Sequence, residues 1–560
     1  MMFKGFSFES RVVVSLMSVA LLLGLYLAAT KPGVDEDSLS HLLPVHNLVA
    51  GRGYSYFGSP HLIMPPGYGL ISYIAYLIVG DIEYSAVIVS VISYVLLIPA
   101  TYYAGRRLFD WRAGLVSAFF VTFSPMLVYY SFLSFSDCLF CLFIMAELYT
   151  YSGILLEREG RLRRTITFGI LTGFSYLIRP EGLILALMSF LFLFIVLLSE
   201  KKGSVRGFYS VFLESMRLPA VAFVLFILCA APYVLFLHEH TGRWLLSSKM
   251  VFNLFWGETV VEGELNTIMK IADHPEYIHP RGGVGALEYL RDRNLKLLVR
   301  IRRNIVIIVG CAVAMDFHAV TALSMFTLFH ILNSGWSGRR APRPGLRGIK
   351  VAGSLLIFSV PMFSYVLFFV RQRFILPYTI VLLIPASYAI VRLWEGSMTQ
   401  YGLGRSRIVL VVVLMVSLLP ILGITGLQIN NTIYNIISEP NPYHVMEKAG
   451  SWLRDNVEDP GSISVLMPKK GDVVLFYASG KKVPDGMFYD IHPRISMGNL
   501  SLMLENGTAD YLILEEHYVR KMNHSTGVLW DNPETGGEYG MRLVHKDEGG
   551  LFQIYGPSKS

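Results

Sequence analysis

Three consecutive carboxylates, Asp35-Glu36-Asp37, follow the first long apolar stretch of the chain, and His41 lies one helical turn beyond Asp37. Charges beside a membrane-length segment are costly to desolvate, which makes them candidates for chemistry. They could take a proton from a hydroxyl as general bases, or hold a divalent cation through oxygen ligands. For any one of them a solvated loop face is the alternative. A further acid, Asp137, follows the aromatic run from Tyr129 to Ser136; its neighbours are apolar, so it needs a partner or a function. Arg179-Pro180-Glu181-Gly182 interrupts another apolar run. Its Pro and Gly are turn chemistry, and Arg179 and Glu181 could neutralise one another. Arg371 and Arg373 open a later run, while Arg300, Arg302 and Arg303 precede one. Guanidinium grips phosphate bidentately, although interfacial arginines also snorkel. The 300–303 arginines fit either an outward phosphate site or an amphipathic surface helix over 285–300. Glu147, Asp316 and His318 lie within apolar runs and receive no role.

The elements that must position these residues are membrane helices. The 560 residues are 53% hydrophobic and 16% charged, too few charges to cover a water-soluble globule of this size. Apolar segments fall at roughly 12–30, 85–105, 113–130, 138–155, 166–179, 182–199, 218–237, 304–330, 351–370, 375–394 and 408–427, giving about 11 spans. The first reads as a retained helix, since no small-residue cleavage site stands out after it. The net charge of +7 resides mainly in short loops on alternate sides. That is the positive-inside pattern, and it places the N-terminus in the cytoplasm and both acidic motifs on the outer face. Nucleic acid is not expected as a partner, because no basic stripe interleaves with aromatics. Residues 61–80 are too short to span and read as an outer interfacial helix.

Two outer loops are long, 31–84 and 238–303. After residue 427 the composition becomes mixed, and 428–560 reads as a soluble extracytoplasmic α/β domain. Its helix-like stretches are 443–456 and 498–505, its strand-like ones 463–467 and 511–514. Four glycosylation sequons, at Asn430, Asn499, Asn506 and Asn523, all lie in this tail. Cys138, Cys141, Cys229 and Cys311 sit in apolar segments and read as core residues. Cys138-Leu139-Phe140-Cys141 lacks the second pair that a zinc site needs.

Several of these motifs together resemble a known family. Asp37-Ser38-Leu39-Ser40-His41, Leu48-Val49-Ala50-Gly51-Arg52-Gly53-Tyr54 and Pro65-Pro66-Gly67-Tyr68 resemble the first outer loop of the GT-C glycosyltransferases. Gly105-Arg106-Arg107-Leu108-Phe109, Arg112-Ala113-Gly114, Ser124-Pro125, Ser136-Asp137, Arg179-Pro180-Glu181-Gly182 and Arg373-Phe374-Ile375-Leu376-Pro377 follow in the family's order. The resemblance covers about residues 1–400. It is strongest to the branch of dolichyl-phosphate-mannose protein mannosyltransferases and lipid A aminoarabinose transferases. No Trp-Trp-Asp-Tyr-Gly run is present, which argues against the oligosaccharyltransferase branch. Ser38 stands where many relatives carry Glu.

The resemblance implies a GT-C-like membrane domain over 1–427 that moves a mannose-like hexose or similar sugar from a polyprenyl-phosphate donor to an acceptor hydroxyl, with inversion. It implies Asp37 as base, with Asp35 and Glu36 as near alternatives, and Asp137 as the second-loop acid. It also implies Arg373, with Arg371 and Arg303, at the lipid phosphate, and His41, Arg179 and Glu181 around them. The acceptor could be protein, lipid or glycan. A divalent metal such as Mg2+ or Mn2+ is the one cofactor the carboxylates could hold. A transporter of lipid-linked sugars is the competing class, expected to show repeated halves and broken midplane helices.

Overall fold

The computed structural model describes residues 7–30, 33–201, 208–249, 253–254, 294–314, 318–333, 346–368, 370–418, 444–491, 494–521 and 524–558. The chain divides into two compact units: Met1–Thr30, Val87–Gly257 and Ala286–Ser438 form one, while Lys31–Ala86, Glu258–Gly285 and Glu439–Ser560 form the other.

The first unit is helical. Among the described residues, seven helices are long and apolar enough to cross a membrane, or eight with the bent pair Trp111–Thr122 and Pro125–Ser131. The chain is therefore an integral membrane protein, but the expected count of eleven is not confirmed. The helix Arg161–Ile178 starts among basic residues and is shorter than an ordinary span. The expected span 304–330 is divided between helices Asn294–Ala314 and His318–Asn333. The expected spans 375–394 and 408–427 meet in one helix, Gln372–Leu418, whose 47 residues run roughly 70 Å, over twice the hydrocarbon thickness.

Local chemistry sets the breaks. Ser124 caps the helix that follows by accepting from the Leu127 N–H, with Pro125 at its first position. Those two residues turn the bent pair by 57°, because proline has no N–H to continue the preceding helix. Asp110 likewise accepts from the Arg112 and Ala113 N–H groups and starts the helix Trp111–Thr122. Gly105 and Gly114 let the ends of two helices touch: a Cβ on Gly105 would stand 2.9 Å from the Gly114 Cα.

The second unit combines the first loop with the tail. The acid-bearing helix Glu36–Val49 is followed by a two-stranded ribbon, β1 (Ser55–Tyr56) and β2 (Ser59–Pro60), and by the short apolar helix Gly67–Val79. The tail holds a five-stranded sheet made of β3 (Val465–Met467), β4 (Phe488–Asp490), β5 (Tyr511–Glu515), β6 (Met541–Lys546) and β7 (Phe552–Pro557). Their order is β4-β3-β5-β7-β6. β3 lies parallel to β4 and β5, and the β5–β7 and β6–β7 pairs are antiparallel. Leu466, Leu512, Leu514, Leu500, Trp530 and Tyr555 form its core. The edge strand β6 exposes Arg542 and Lys546 and carries a register shift at Leu543/His545, two devices that discourage further strand pairing.

Candidate active site

In the second unit the three adjacent acids do different work. Asp35 is the N-cap of the helix Glu36–Val49. Its side chain accepts from the Glu36 N–H at 2.8 Å, and Ser38 completes a capping box by accepting from the Asp35 N–H. Ser38 thus takes the part that Glu usually plays in such a box. Glu36 and Asp37 occupy the first helical turn, where the helix dipole favours negative charge. His41 is buried and packs edge-on against Tyr68, with ring centroids 5.6 Å apart.

The tail supplies partners for this loop that sequence spacing does not reveal. Lys470 Nζ lies 3.4 Å from Asp35 Oδ1. The Tyr56 hydroxyl donates to the buried carboxylate of Asp472, which opens the helix Gly471–Ala478. Lys481 Nζ reaches Glu83 at 2.6 Å, and the Tyr477 hydroxyl donates to Glu83 at 3.2 Å. Arg52 pairs with Asp485 at 2.8 Å. A cavity of 240 Å3 opens beside that last pair, with Leu43, Asn47 and Phe57 in its walls.

Electrostatics mark the same place. Burial, then the charge of Asp472, raises the Glu36 carboxyl, with Lys469 opposing. Burial raises Asp472 as well, against the hydrogen bond from Tyr56. Asp490 is pushed up to about 7 by desolvation and by Glu36. Glu36 and Asp490 each keep part of their surface in contact with solvent. Desolvation and mutual repulsion thus hold Glu36, Asp472 and Asp490 above the ordinary carboxylate range.

In the first unit Asp137 has found its partner. It begins the helix Asp137–Leu156, is almost wholly buried, and lies 2.8 Å from Arg179 Nη1. Arg179 also reaches Glu181 at 3.3 Å, and the Tyr365 hydroxyl donates to Glu181 at 2.6 Å. Burial would raise Glu181, but Arg179, Lys249 and the Tyr365 hydrogen bond outweigh it and hold the carboxyl at about 2. The expected Arg179–Glu181 neutralisation is therefore part of a wider network in which Asp137 is the closer acid.

Arg373 lies beside this network. Its guanidinium sits 5.1 Å from the Phe135 ring centroid and 5.3 Å from that of Phe374. Phe374 in turn lies 5.4 Å from the Arg179 guanidinium and stacks on Tyr365. Arg371 is exposed and Arg303 half-buried. Arg300 corrects the surface-helix expectation for its neighbourhood: it is buried and donates to the carbonyls of Leu254 and Leu367. Residues 285–293 and Asp316 lie outside the described residues, as does the side chain of His318. Glu147 is fully buried, and neither carboxyl oxygen has a hydrogen-bond partner among the described residues.

Metal ligation was the alternative use of the acids. Among the described residues, no three His, Cys, Asp or Glu side chains are grouped to hold an ion. Asp35 is engaged by the cap and Lys470, Asp472 by Tyr56, and Asp137 by Arg179. Among the described residues these engaged acids do not form a donor set that fits a metal.

Comparison with known proteins bears on the fold and on the central motifs. Residues 64–235 match the family model of dolichyl-phosphate-mannose-protein mannosyltransferases. No curated protein matches the chain by sequence. Among solved structures, ArnT from Cupriavidus metallidurans bound to undecaprenyl phosphate superposes with a TM-score of 0.58 at 13% identity, covering 97% of each chain. The oligosaccharyltransferase AglB from Archaeoglobus fulgidus, in complex with an inhibitory peptide and a dolichol-phosphate, gives 0.57 at 14% identity, covering 99% of this chain and 75% of that one. The A. fulgidus oligosaccharyltransferase complex with Zn and sulfate gives 0.54 at 15% identity, covering 89% and 68%. This chain shares the fold of these membrane proteins.

Proposed function

We propose that this chain is a membrane glycosyltransferase that takes a sugar from a polyprenyl-phosphate donor and attaches it to an acceptor hydroxyl on the extracytoplasmic face. The observation that carries the reading is the likeness to ArnT over nearly the whole of both chains, joined to the mannosyltransferase family match at 64–235. ArnT holds undecaprenyl phosphate and AglB holds a dolichol-phosphate, so a phosphate on a prenyl chain is the donor chemistry that this fold accommodates. Neither the fold nor the family match supports a transporter of lipid-linked sugars.

The reaction is a single displacement. The acceptor oxygen bonds to the anomeric carbon as the bond from that carbon to the donor phosphate oxygen breaks, inverting the configuration. The acceptor proton passes to Asp37, and the pair of electrons leaves with polyprenyl phosphate. Arg373, with Arg371 and Arg303, stabilises the charge gathering on that phosphate. Asp35 holds the helix that carries Asp37, and Asp137 orients Arg179 beside Arg373. The sugar is a mannose-like hexose or similar, and the acceptor a protein, lipid or glycan hydroxyl. Positive loops keep the N-terminus cytoplasmic. Residues 1–427 form the transferase domain, and 428–560 the extracytoplasmic one.

The test is transfer of radiolabel from a polyprenyl-phosphate sugar to a membrane-extract acceptor by the purified chain. Asp37→Asn should cost about 10²–10⁴-fold, the range of a general base, with insertion unchanged. Movement of intact lipid across vesicles without transfer would identify a transporter instead. Full activity in the Asp37→Asn, Glu36→Gln and Asp35→Asn variants, each tested singly, would end the proposed mechanism.

A further inference from the structure

A cavity of 680 Å3 opens in the first unit, away from every residue assigned to transfer. Arg106, Arg107, Tyr103, Tyr149, Arg347 and Lys350 line it, and Glu157 is the one carboxylate in its wall. Three membrane-spanning helices end there: Ile82–Leu108 and Asp137–Leu156 with their last turns, and Leu346–Leu367 with its first. The cavity therefore lies at the depth of lipid head groups, where tyrosines also concentrate.

Its positive charge is built in and only half neutralised. Glu157 serves both Arg107, at 2.9 Å, and Arg164. Glu200 serves both Arg161, at 2.9 Å, and Lys350, at 2.6 Å. Arg106 reaches Glu9 at 3.0 Å yet stays half exposed. Arg347 is exposed and has no carboxylate partner among the described residues. Arg107 is held rigidly: it donates to the Tyr149 carbonyl at 2.7 Å and hydroxyl at 3.0 Å, with its guanidinium 3.7 Å from that ring centroid. Gly153 leaves room for this arrangement, since a Cβ there would come within 2.9 Å of both Arg107 Nη1 and Arg164 Nε.

Loop arginines alone would satisfy the positive-inside rule as a diffuse surface. A concave site with two ordered tyrosines, an apolar side at Leu156 and Leu346, and cations in excess is a different object. Basic pockets between membrane helices bind anionic head groups. We propose that this cavity holds the phosphate head group of an anionic glycerophospholipid, whose acyl chains lie along the helix ends.

Native mass spectrometry of the purified full chain, titrated with phosphatidylglycerol or phosphatidylcholine, tests this. The wild type should bind one phosphatidylglycerol in preference to phosphatidylcholine. Each positive charge near an anionic head group contributes roughly fivefold in affinity, so Arg347→Glu should weaken that site roughly 25-fold and Arg347→Gln roughly fivefold. Arg163, exposed but outside the cavity, controls for general surface charge, and Arg163→Glu should bind as the wild type does. The proposal is overturned if phosphatidylcholine binds equally, if Arg347→Glu is without effect, or if Arg163→Glu loses as much. It is overturned in favour of a soluble phosphate ester if glycerol 3-phosphate displaces the lipid at equal concentration. None of these outcomes depends on the transfer assay.

Discussion

The buried Asp137–Arg179–Glu181 network makes an unequal set of demands on stability. Asp137, Arg179 and Glu181 side chains are 3%, 9% and 15% exposed, so water cannot replace a missing partner. Arg179→Met removes the cation that pairs with both acids, and breaking a buried pair from one side costs about 3–5 kcal/mol. Asp137→Asn deletes a charge but leaves Arg179 against Glu181, so a cost of about 1–2 kcal/mol is expected. The double variant should cost less than the sum of the two, by at least about 1 kcal/mol, because each single change removes the same contact. Unfolding by sodium dodecyl sulfate titration in mild detergent, followed by tryptophan fluorescence, measures all three. An Arg179→Met protein as stable as Asp137→Asn, or strict additivity, would refute the reasoning that these charges are desolvated and coupled.

Other expectations follow from the same geometry. Asp35→Ala should lower the stability of the second unit by about 1 kcal/mol through the lost cap, while Asp35→Asn keeps the cap and near-normal transfer; thermal melts and radiolabel transfer read the two effects. Asp472 and Asp490 are raised in the folded state, Asp490 to about 7, so their contribution is complete below about pH 4 and lost as pH rises through about 7. Glu181 has the opposite sign: held at about 2, it favours folding above about pH 4.5 and loses that contribution as pH falls toward 2. Hydrogen exchange should therefore show peptides around 465–490 loosening from pH 5 to 8, and peptides around Arg179 loosening only in acid. Identical pH profiles for the two regions would contradict these assignments.

Much of the fold was legible because membrane helices announce themselves by length and polarity. The count failed where that signal is ambiguous. Composition divides 375–394 from 408–427 at Arg392 and Arg405, yet charge does not break a helix, and the backbone continues from Gln372 to Leu418. In the tail, β5 and the helix His444–Asn456 follow the apolar patterns expected of them. The edge strands β4 and β6 are too exposed to carry such a pattern. At the site, Asp35-Glu36-Asp37 stood out as a cluster, but their division of labour did not. A capping box is sought as Ser or Thr followed three residues later by Glu or Gln, and here Asp and Ser fill those places. Lys470, Asp472 and Tyr56 were missed for a different reason. Tyr56 and Asp472 are 416 residues apart, and no local periodicity reports a contact at that separation.

Asp37 and Asp137 look alike in sequence, each an acid beside an apolar segment, yet physical chemistry assigns them different work. Asp137 already gives an oxygen to Arg179 inside an almost dry site. Taking a proton there would break that ion pair and leave Arg179 to Glu181 alone, a cost of the same order as Asp137→Asn, about 1–2 kcal/mol, added to the barrier. Asp137 is therefore poorly placed to be a base. In the proposed mechanism it fixes a guanidinium that shares the Phe374 ring with Arg373, keeping positive potential near the departing phosphate. Asp37 lies half-buried in the first turn of a capped helix, among carboxylates held above their ordinary range. In the proposed mechanism it is this acid, and not Asp137, that takes the acceptor proton.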